Sequence, residues 1–519
     1  MILRSPHADI IVPPEDVSGF VLGAKRGQAQ NAALVDGVTG RVVTYGELRE
    51  QVRRVAAGLA GLGIGKGDVV ALCSPNSPEF AIVFHAVARL GAILTPANPA
   101  NTPRELAHQI SDAGARMLII PTSLLDQARA AINEARRAIE LITTDDGGEL
   151  PSLASIARDF DPPEVTIDPA TDVVALPYSS GTTGLPKGVM LTHRNLVANL
   201  AQTEAVERSE LRALIGALPF FHIYGLVVVL NFGLRIGATI VTLPRFDPEL
   251  FLKALQDWRV ELAHIVPPVA VLLAKHPSID KYDLRHLQAL FCGAAPLGPE
   301  LTDAILRRLN VTVRQGYGMT EASPVTHYSD CRSEPRPGTV GRLAPSTEGR
   351  LVNVESGNDA AVGEPGEVWI RGPQVMKGYL NNAEATAHTV DQEGWLHTGD
   401  IGTVDSEGYL TIVDRLKELI KVKGYQVAPA ELEGLLLKHP RVADAAVIPV
   451  ADEECGQRPK ALVVAQGELT TQEVIEFVHG QVAHYKRLKC VELVDAIPKS
   501  PSGKILRRVL VDRERASVS

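Results

Sequence analysis

The chain has 519 residues, 45% of them hydrophobic and 22% charged, with 52 Lys+Arg against 61 Asp+Glu for a net charge of −9. That is about three times a typical ~150-residue domain, in ordinary globular proportions, so global disorder is excluded and at least two domains are expected. A mildly acidic chain offers no electrostatic footprint for nucleic acid.

The start, MILRSPHADI, puts Arg4, His7 and Asp9 where a signal peptide needs an apolar run. From about Gly67 short apolar runs alternate with helical stretches. GDVVALCSP reads as a strand, and SPEFAIVFHAVARLGA as a helix with Ser77 at the N-cap and Pro78 at its first position. ARMLIIP, DVVALPYSS, RALIGALP, ATIVTLP, VELAHIVP and LQALFCG are further strand-like runs. Continuous apolar strands between helices predict parallel sheets covered on both faces. The most apolar stretch, Leu226–Leu243, is broken by Asn231 and Arg235, and falls short of the ~20 apolar residues of a membrane span. From 335 to 375 Gly, Pro and short alternating strands, GEVWIRGP above all, predict a β-rich subdomain. Past DRLKELIKVKGYQ lies a compact α+β unit. It has a helix (PAELEGLLLKHP), strands VADAAVIPV and KALVVA, a helix (TQEVIEFVHGQVAHY) and a strand (KCVELV). The five cysteines, Cys73, Cys292, Cys331, Cys455 and Cys490, are scattered and never spaced CxxC, which suits a reducing cytoplasm rather than a disulfide framework or zinc ribbon. The final RERASVS is neither a lipidation nor a peroxisomal signal.

The richest chemistry lies in SSGTTGLPKG, residues 179–188, after DVVALPY. Gly181, Gly184 and Gly188 permit positive φ and close approach of backbone N–H groups to an anion. Ser179, Ser180, Thr182 and Thr183 supply hydroxyl donors, and Lys187 a point charge. A surface hairpin loop is the plain alternative. The string is not GxxxxGK, because Pro186 stands where that motif needs Gly, and it contains no GxGxxG.

This string resembles the nucleotide loop of the adenylate-forming superfamily, which comprises acyl- and aryl-CoA synthetases, luciferases and peptide-synthetase adenylation domains. The resemblance spans nearly the whole chain: QGYGMTE (315–321), WLHTGD (395–400), DRLKELIK (414–421) and PSGK (501–504) follow in the family's order. PFFHIYG, CGAAPLG and KVKGYQVAPAELE are most similar to the 4-coumarate/cinnamate:CoA ligase branch. It implies an α/β fold with a large N-terminal domain (1–415) of two doubly wound sheets plus the β-rich subdomain. A small mobile α+β C-terminal domain (416–519) would turn about a hinge near Lys417. A carboxylate would attack the α-phosphorus of ATP, giving acyl-AMP and pyrophosphate, and the thiol of coenzyme A would then displace AMP.

The resemblance also implies residue roles. Ser179, Ser180, Gly181, Thr182, Thr183 and Lys187 would hold phosphates, with Gln315, Gly316 and Tyr317 also on the nucleotide. Thr320 would contact the α-phosphate, and Glu321 would ligate Mg²⁺, a hard cation that prefers carboxylate oxygen. Read alone, Thr320–Glu321 could equally be a helix N-cap pair. Asp400 would accept from the ribose diol, and Arg415 would contact ribose or phosphate. Lys504 would hold the carboxylate and α-phosphate during adenylation, and Lys421 and Gln426 would contact the adenylate after rotation. Lys423 and Gly424 would line the CoA route, Arg245 would meet the CoA nucleotide phosphates, and His222 would gate the carboxylate and thiol. The acyl pocket would comprise Tyr224, Val228, Ala294, Gly316, Pro324 and Val325, with helical spacing placing Tyr224 and Val228 on one face. Its small or apolar walls suit a flat aryl acid. Val228 stands where related plant enzymes often carry Ser, so unsubstituted cinnamate is expected beside 4-coumarate. Partners would be small molecules in the cytoplasm, with no nucleic acid or membrane, for a monomer or weak homodimer. Alternatives are a medium-chain fatty or other aryl acyl-CoA synthetase, an adenylation protein loading a carrier protein, and a nucleotide sensor without catalysis. No feature of the chain points to a luciferin pocket.

Overall fold

The computed structural model describes residues 2–23, 28–179, 186–423, 425–452, 455–500 and 503–518. Four sheets organise them. The first has a parallel centre of Ile93–Ala97, Val69–Cys73, Met117–Ile120 and Glu140–Thr143, side by side in that order. These strands are almost wholly buried, as expected of apolar runs covered on both faces. At its other edge Lys187–Thr192 runs antiparallel to Val173–Ala175, Tyr178–Ser179 and Gly378–Tyr379.

The second sheet is parallel from Thr312–Gly318 through Ala289–Cys292, Leu262–Ile265, Ala213–Gly216 and Thr239–Thr242 to Ala32–Asp36. Val325–Tyr328 and Arg342–Leu343 extend one edge antiparallel, and Val42–Thr44 the other. Helix Pro78–Arg89 touches strands of both sheets and is buried nearly all round, through Phe80, Ile82, Phe84 and Val87. One hydrophobic core therefore runs through both. Pro78 opens that helix, although Ser77 makes no side-chain cap bond. Thr44 and Thr102 close full capping boxes on the helices Tyr45–Gly61 and Pro103–Asp112.

The β-rich subdomain is an antiparallel sheet of Glu348–Val352, Gly366–Arg371, Leu396–Val404 and Leu410–Arg415, completed by Leu3–Arg4 from the chain's start. A separate apolar core begins at Ile420 and includes Val427, Leu432, Val447, Val463 and Val474. It lies under the hairpin Ile420–Val422/Tyr425–Val427, the long strands Val442–Asp452 and Gly456–Ala465, and the parallel strand Cys490–Leu493.

Three local expectations are corrected. The strand read in DVVALPYSS breaks at Pro177, which has no N–H to donate, into Val173–Ala175 and Tyr178–Ser179. The helix read over TQEVIEFVHGQVAHY stops at His479, where Gly480 caps it, and only a 3₁₀ turn, His484–Lys486, follows. The helix after Ile223 is a π-helix over Tyr224–Asn231, with Asn231 Nδ2 donating to the Leu226 carbonyl at 2.8 Å. Residues four apart still fall on nearly one face of such a helix, so Tyr224 and Val228 keep their common side. The apolar run 226–243 is core, and among the described residues no helix is long and apolar enough to cross a membrane.

Candidate active site

The C-terminal ends of parallel strands gather loops at one edge, where α/β sheets hold their ligands. Thr312–Gly318 delivers Tyr317 there and runs into the 3₁₀ turn Thr320–Ala322. Met319 N–H donates to the Pro324 carbonyl at 3.0 Å and closes this loop tightly. A Cβ on Gly318 would lie 2.1 Å from that carbonyl oxygen, so only glycine fits. The Tyr317 hydroxyl donates to Asp400 Oδ2 at 2.6 Å. Asp400 and Arg415 are cross-strand partners in the third sheet, and Arg415 Nε lies 3.4 Å from Asp400 Oδ1. Burial raises the pKa of Asp400, opposed by the Arg415 charge, the Tyr317 hydrogen bond and the Lys504 charge. A carboxylate has about four acceptor positions, so two remain for a diol.

Beside it the buried Glu321 takes two hydroxyl donors on one oxygen, Ser179 Oγ at 3.0 Å and Tyr379 Oη at 2.8 Å from Oε1. Lys187 opens its strand opposite Ser179, and its Nζ rests 4.9 Å from the Tyr379 ring centroid. Gly188 is a strand residue rather than a positive-φ one; a Cβ there would press on the Tyr178 ring at 3.2 Å.

Lys504 reaches the same place from the small C-terminal unit. Gly503 (φ +78°) turns its loop so tightly onto Val266 and Pro268 that a Cβ would sit 3.3 and 3.2 Å from them. Burial and the Arg415 charge push the Lys504 ammonium down to about 8, against the pull of Asp400, Glu418 and Glu321. His222 lies within reach of that charge; desolvation first, then Lys504, lowers its pKa to about 4. Its Nδ1 accepts the Tyr224 backbone N–H at 3.3 Å, which leaves the neutral ring's proton on Nε2.

The predicted acyl-pocket residues follow on the same edge. Tyr224 lies over Gly293, where a Cβ would come 2.9 Å from its ring, and its hydroxyl donates to the Phe291 carbonyl at 3.1 Å. Gly316 leaves room for Phe291, whose ring would be 2.6 Å from a Cβ. Val228 is fully buried, while Ala294 is exposed with φ +69°, a strained conformation for alanine. Buried Asn199 clamps Val325 through both its N–H and its carbonyl, at 3.2 and 2.8 Å. Pro324 is buried within the loop closed by Met319.

Three residues here escape sequence reasoning: Phe291, His264 and Tyr379. His264 packs edge-on against Tyr224 and tilted on Phe291, with centroids 5.9 and 5.7 Å away. Neither ring nitrogen has a hydrogen-bond partner, and burial drives its pKa down to about 3. No local pattern in VELAHIVP marks this histidine, because only the fold brings those rings together.

Other predicted residues stand apart or serve a second role. Gln315, expected at the nucleotide, also braces the loop around it. Its amide accepts from Leu297 N–H at 2.9 Å and donates to the Leu297 carbonyl at 3.2 Å, while its backbone bonds Ser329. Thr320 is half-buried at the head of the 3₁₀ turn. Arg245 is exposed after strand Thr239–Thr242, on the same sheet edge but two strands beyond Leu262–Ile265. Lys417, Lys421 and Lys423 are exposed, and Lys421 pairs with Gln426 in the hairpin. Ser180, Gly181, Thr182, Thr183 and Gly424 lie outside the described residues, as does the side chain of Gln426. A cavity of about 30 Å³ lined by Arg208, Gln288, Thr312 and Cys331 lies at the opposite ends of the strands and gathers no such chemistry.

Comparison with known proteins gives the family and the fold. The model of the AMP-binding enzyme family matches residues 23–380, and that of the AMP-binding enzyme C-terminal domain matches 431–504. The chain is 45% identical to a 4-coumarate–CoA ligase of Oryza sativa subsp. japonica, over 98% of this chain and 96% of that one. It is 43% identical to a 4-coumarate:CoA ligase of Petunia hybrida, over 100% and 98%. Among solved structures, an anthranilate CoA ligase in complex with anthranoyl-AMP superposes with TM-score 0.89 at 26% identity, over 98% of this chain and 99% of that one. ATP-bound MatB from Rhodopseudomonas palustris gives 0.89 at 30%, over 97% and 100%. The chain therefore belongs to the AMP-binding enzyme family, the adenylate-forming superfamily that its motifs resemble.

Proposed function

We propose that this chain, as an ATP-dependent, AMP-forming acid–thiol ligase, activates an aryl carboxylic acid of the cinnamate/4-coumarate type and transfers it to coenzyme A. A carboxylate oxygen attacks the α-phosphorus, the bond to the bridging oxygen of pyrophosphate breaks, and acyl-AMP forms. The CoA sulfur then attacks the acyl carbon, the C–O bond to AMP breaks, and the thiol proton is released. Negative charge builds in the first step, so the work is positioning and cation placement.

The observation that supports this most is the convergence of Lys504 with Asp400, Arg415, Glu321 and His222. Asp400 and Arg415 hold the ribose, with Tyr317 fixing the carboxylate. Lys187, Ser179, the hydroxyls of 180–183 and Thr320 take the phosphates. Lys504 bridges substrate carboxylate and α-phosphate, while His222 stands neutral at the approach. Glu321 suits Mg²⁺. Such an ion takes one or two protein carboxylates and completes its shell with substrate phosphates and water. When bound, that ion would offset phosphate charge.

Residues 1–415 and 416–519 act as two bodies hinged near Lys417. Rotation withdraws Lys504 and presents Lys421 and Gln426 to the adenylate, with Lys423, Gly424 and Arg245 toward CoA. Tyr224, Val228, Ala294, Gly316, Pro324 and Val325 form an apolar acyl pocket; burying a ring there gains about 25 cal/mol per Å². The substrates are small molecules, and the setting is cytoplasmic.

The test is pyrophosphate release with Mg-ATP across cinnamate, 4-coumarate, benzoate and octanoate, with and without CoA. Turnover of the two cinnamates that depends on CoA supports the reading. Preference for octanoate overturns the pocket, and pyrophosphate release without thioester points to a carrier-protein acceptor. No release with any acid, beside intact ATP binding, favours the sensor.

A further inference from the structure

Tyr379 joins the two charged elements of the phosphate edge. It lies on Gly378–Tyr379, paired antiparallel with the strand that begins at Lys187, with Val189 directly opposite. Leu380 N–H donates to the Gly188 carbonyl at 2.8 Å, so this short strand is zipped to the backbone at the last residue of SSGTTGLPKG. Tyr379 is only 7% exposed. Its ring carries Lys187 Nζ at 4.9 Å, and its hydroxyl donates to Glu321 Oε1 at 2.8 Å, with the Thr389 hydroxyl acting on the phenol oxygen. Ser179 donates to the same Oε1, and among the described residues no group donates to Oε2. Hydroxyls drawing on one carboxylate oxygen fix the plane of the group and aim the other.

We propose that Tyr379 is a positioning residue for the phosphate-side cations: its hydroxyl presents Glu321 Oε2 to the divalent cation, and its ring seats the Lys187 ammonium. This rests on the reading of Glu321 as the metal carboxylate. Partners of this kind, which orient a ligating group, change metal affinity about 10- to 100-fold when removed. The two functions separate chemically, because phenylalanine keeps the ring and loses the hydroxyl, whereas leucine loses both.

The experiment uses the full chain with α,β-methylene-ATP and Mn²⁺ as an electron paramagnetic resonance probe, reading the loss of the free-ion signal. Calorimetry gives the affinity for the analogue without metal, and thermal unfolding checks folding. Tyr379→Phe is expected to weaken Mn²⁺ binding about 10-fold with metal-free analogue affinity unchanged. Tyr379→Leu is expected to weaken both. Glu321→Gln, run beside them, is expected to weaken Mn²⁺ binding at least as much. Wild-type Mn²⁺ affinity in Tyr379→Phe beside a weakened Glu321→Gln overturns the role of Tyr379 alone. Unchanged binding in Glu321→Gln overturns the metal reading of Glu321 and this inference with it. Tyr379→Phe decides the matter even where Tyr379→Leu does not fold.

Discussion

Two lysine-bearing faces of the small C-terminal unit behave differently. Lys504 sits on a turn pressed against Val266 and Pro268, is partly desolvated, and feels the charges of Asp400, Arg415 and Glu321. Lys421 and Lys423 stand exposed on the hairpin Ile420–Val422/Tyr425–Val427. One domain thus carries two cationic faces, and only the first meets the edge that holds Asp400, Arg415 and Glu321. The difference teaches that the edge is divided labour. Asp400, Arg415, Tyr317, Glu321 and Tyr379 are held by the three sheets before residue 416 and the turns on them, whereas Lys504 is supplied from outside them. The segment after Arg415 is tied to the small unit by Arg507, which bonds Glu418 at 2.8 Å and the Val447 carbonyl at 2.7 Å. Asp414 in turn accepts Ala430 N–H from the first turn of helix Pro429–Leu436 at 2.9 Å. A rotation between the faces therefore has only a few residues in which to occur.

The comparison breaks most sharply on the charge itself. Lys504→Ala is expected to slow pyrophosphate formation about 10²- to 10³-fold, the usual cost of one transition-state donor, with a much smaller effect on ATP affinity. Burst-phase kinetics reads both. A loss confined to ATP binding would make Lys504 a nucleotide anchor only.

The protonation state sharpens the point. In the proposed role the lysine works as a cation, and its pKa is lowered to about 8. So kcat/KM for adenylation should fall about tenfold per pH unit above that value. Lys504→Arg, whose guanidinium does not deprotonate in this range, should lose that limb at a lower plateau. A flat profile to pH 9.5 in the native enzyme would contradict the assignment.

At the acyl end Val228→Ser should shift the ratio of 4-coumarate to cinnamate kcat/KM upward by about 10-fold or less, because a single polar group in an apolar pocket discriminates modestly. An unchanged ratio would place the ring's para position elsewhere. The smallest effect belongs to the exposed bridge between Lys438 and Glu300, which joins the small unit to helix Pro299–Leu309. Glu300→Ala should alter the balance of the two half-reactions by no more than about 1 kcal/mol, and less at high salt. A large change would make this pair a principal latch.

Much of the fold is legible in local sequence. The apolar runs at 69–73, 117–120, 213–216, 262–265 and 289–292 are buried parallel strands because nothing but double coverage tolerates them. The motifs are legible too, since Tyr317 of QGYGMTE, Asp400 of WLHTGD, Arg415 of DRLKELIK and Lys504 of PSGK meet at one edge. What escapes is set by distant chain. Leu3–Arg4 completes a sheet with residues 348–349, Gln315 spends its amide on Leu297, and Tyr379 meets Glu321 across 58 positions. The π-helix at 224–231 is similarly hidden. Gly225 lies so close to Pro219 that a Cβ would be 2.1 Å from its carbonyl, a constraint invisible in the helical spacing.

The central claim, that the two lysine faces serve two successive half-reactions, is tested most directly by supplying pre-formed acyl-adenylate and CoA to Lys504→Ala and Lys421→Ala. Lys504→Ala should form thioester within a few-fold of the native rate while Lys421→Ala loses most of it. Equal loss in both variants, or loss in Lys504→Ala alone, would contradict the account.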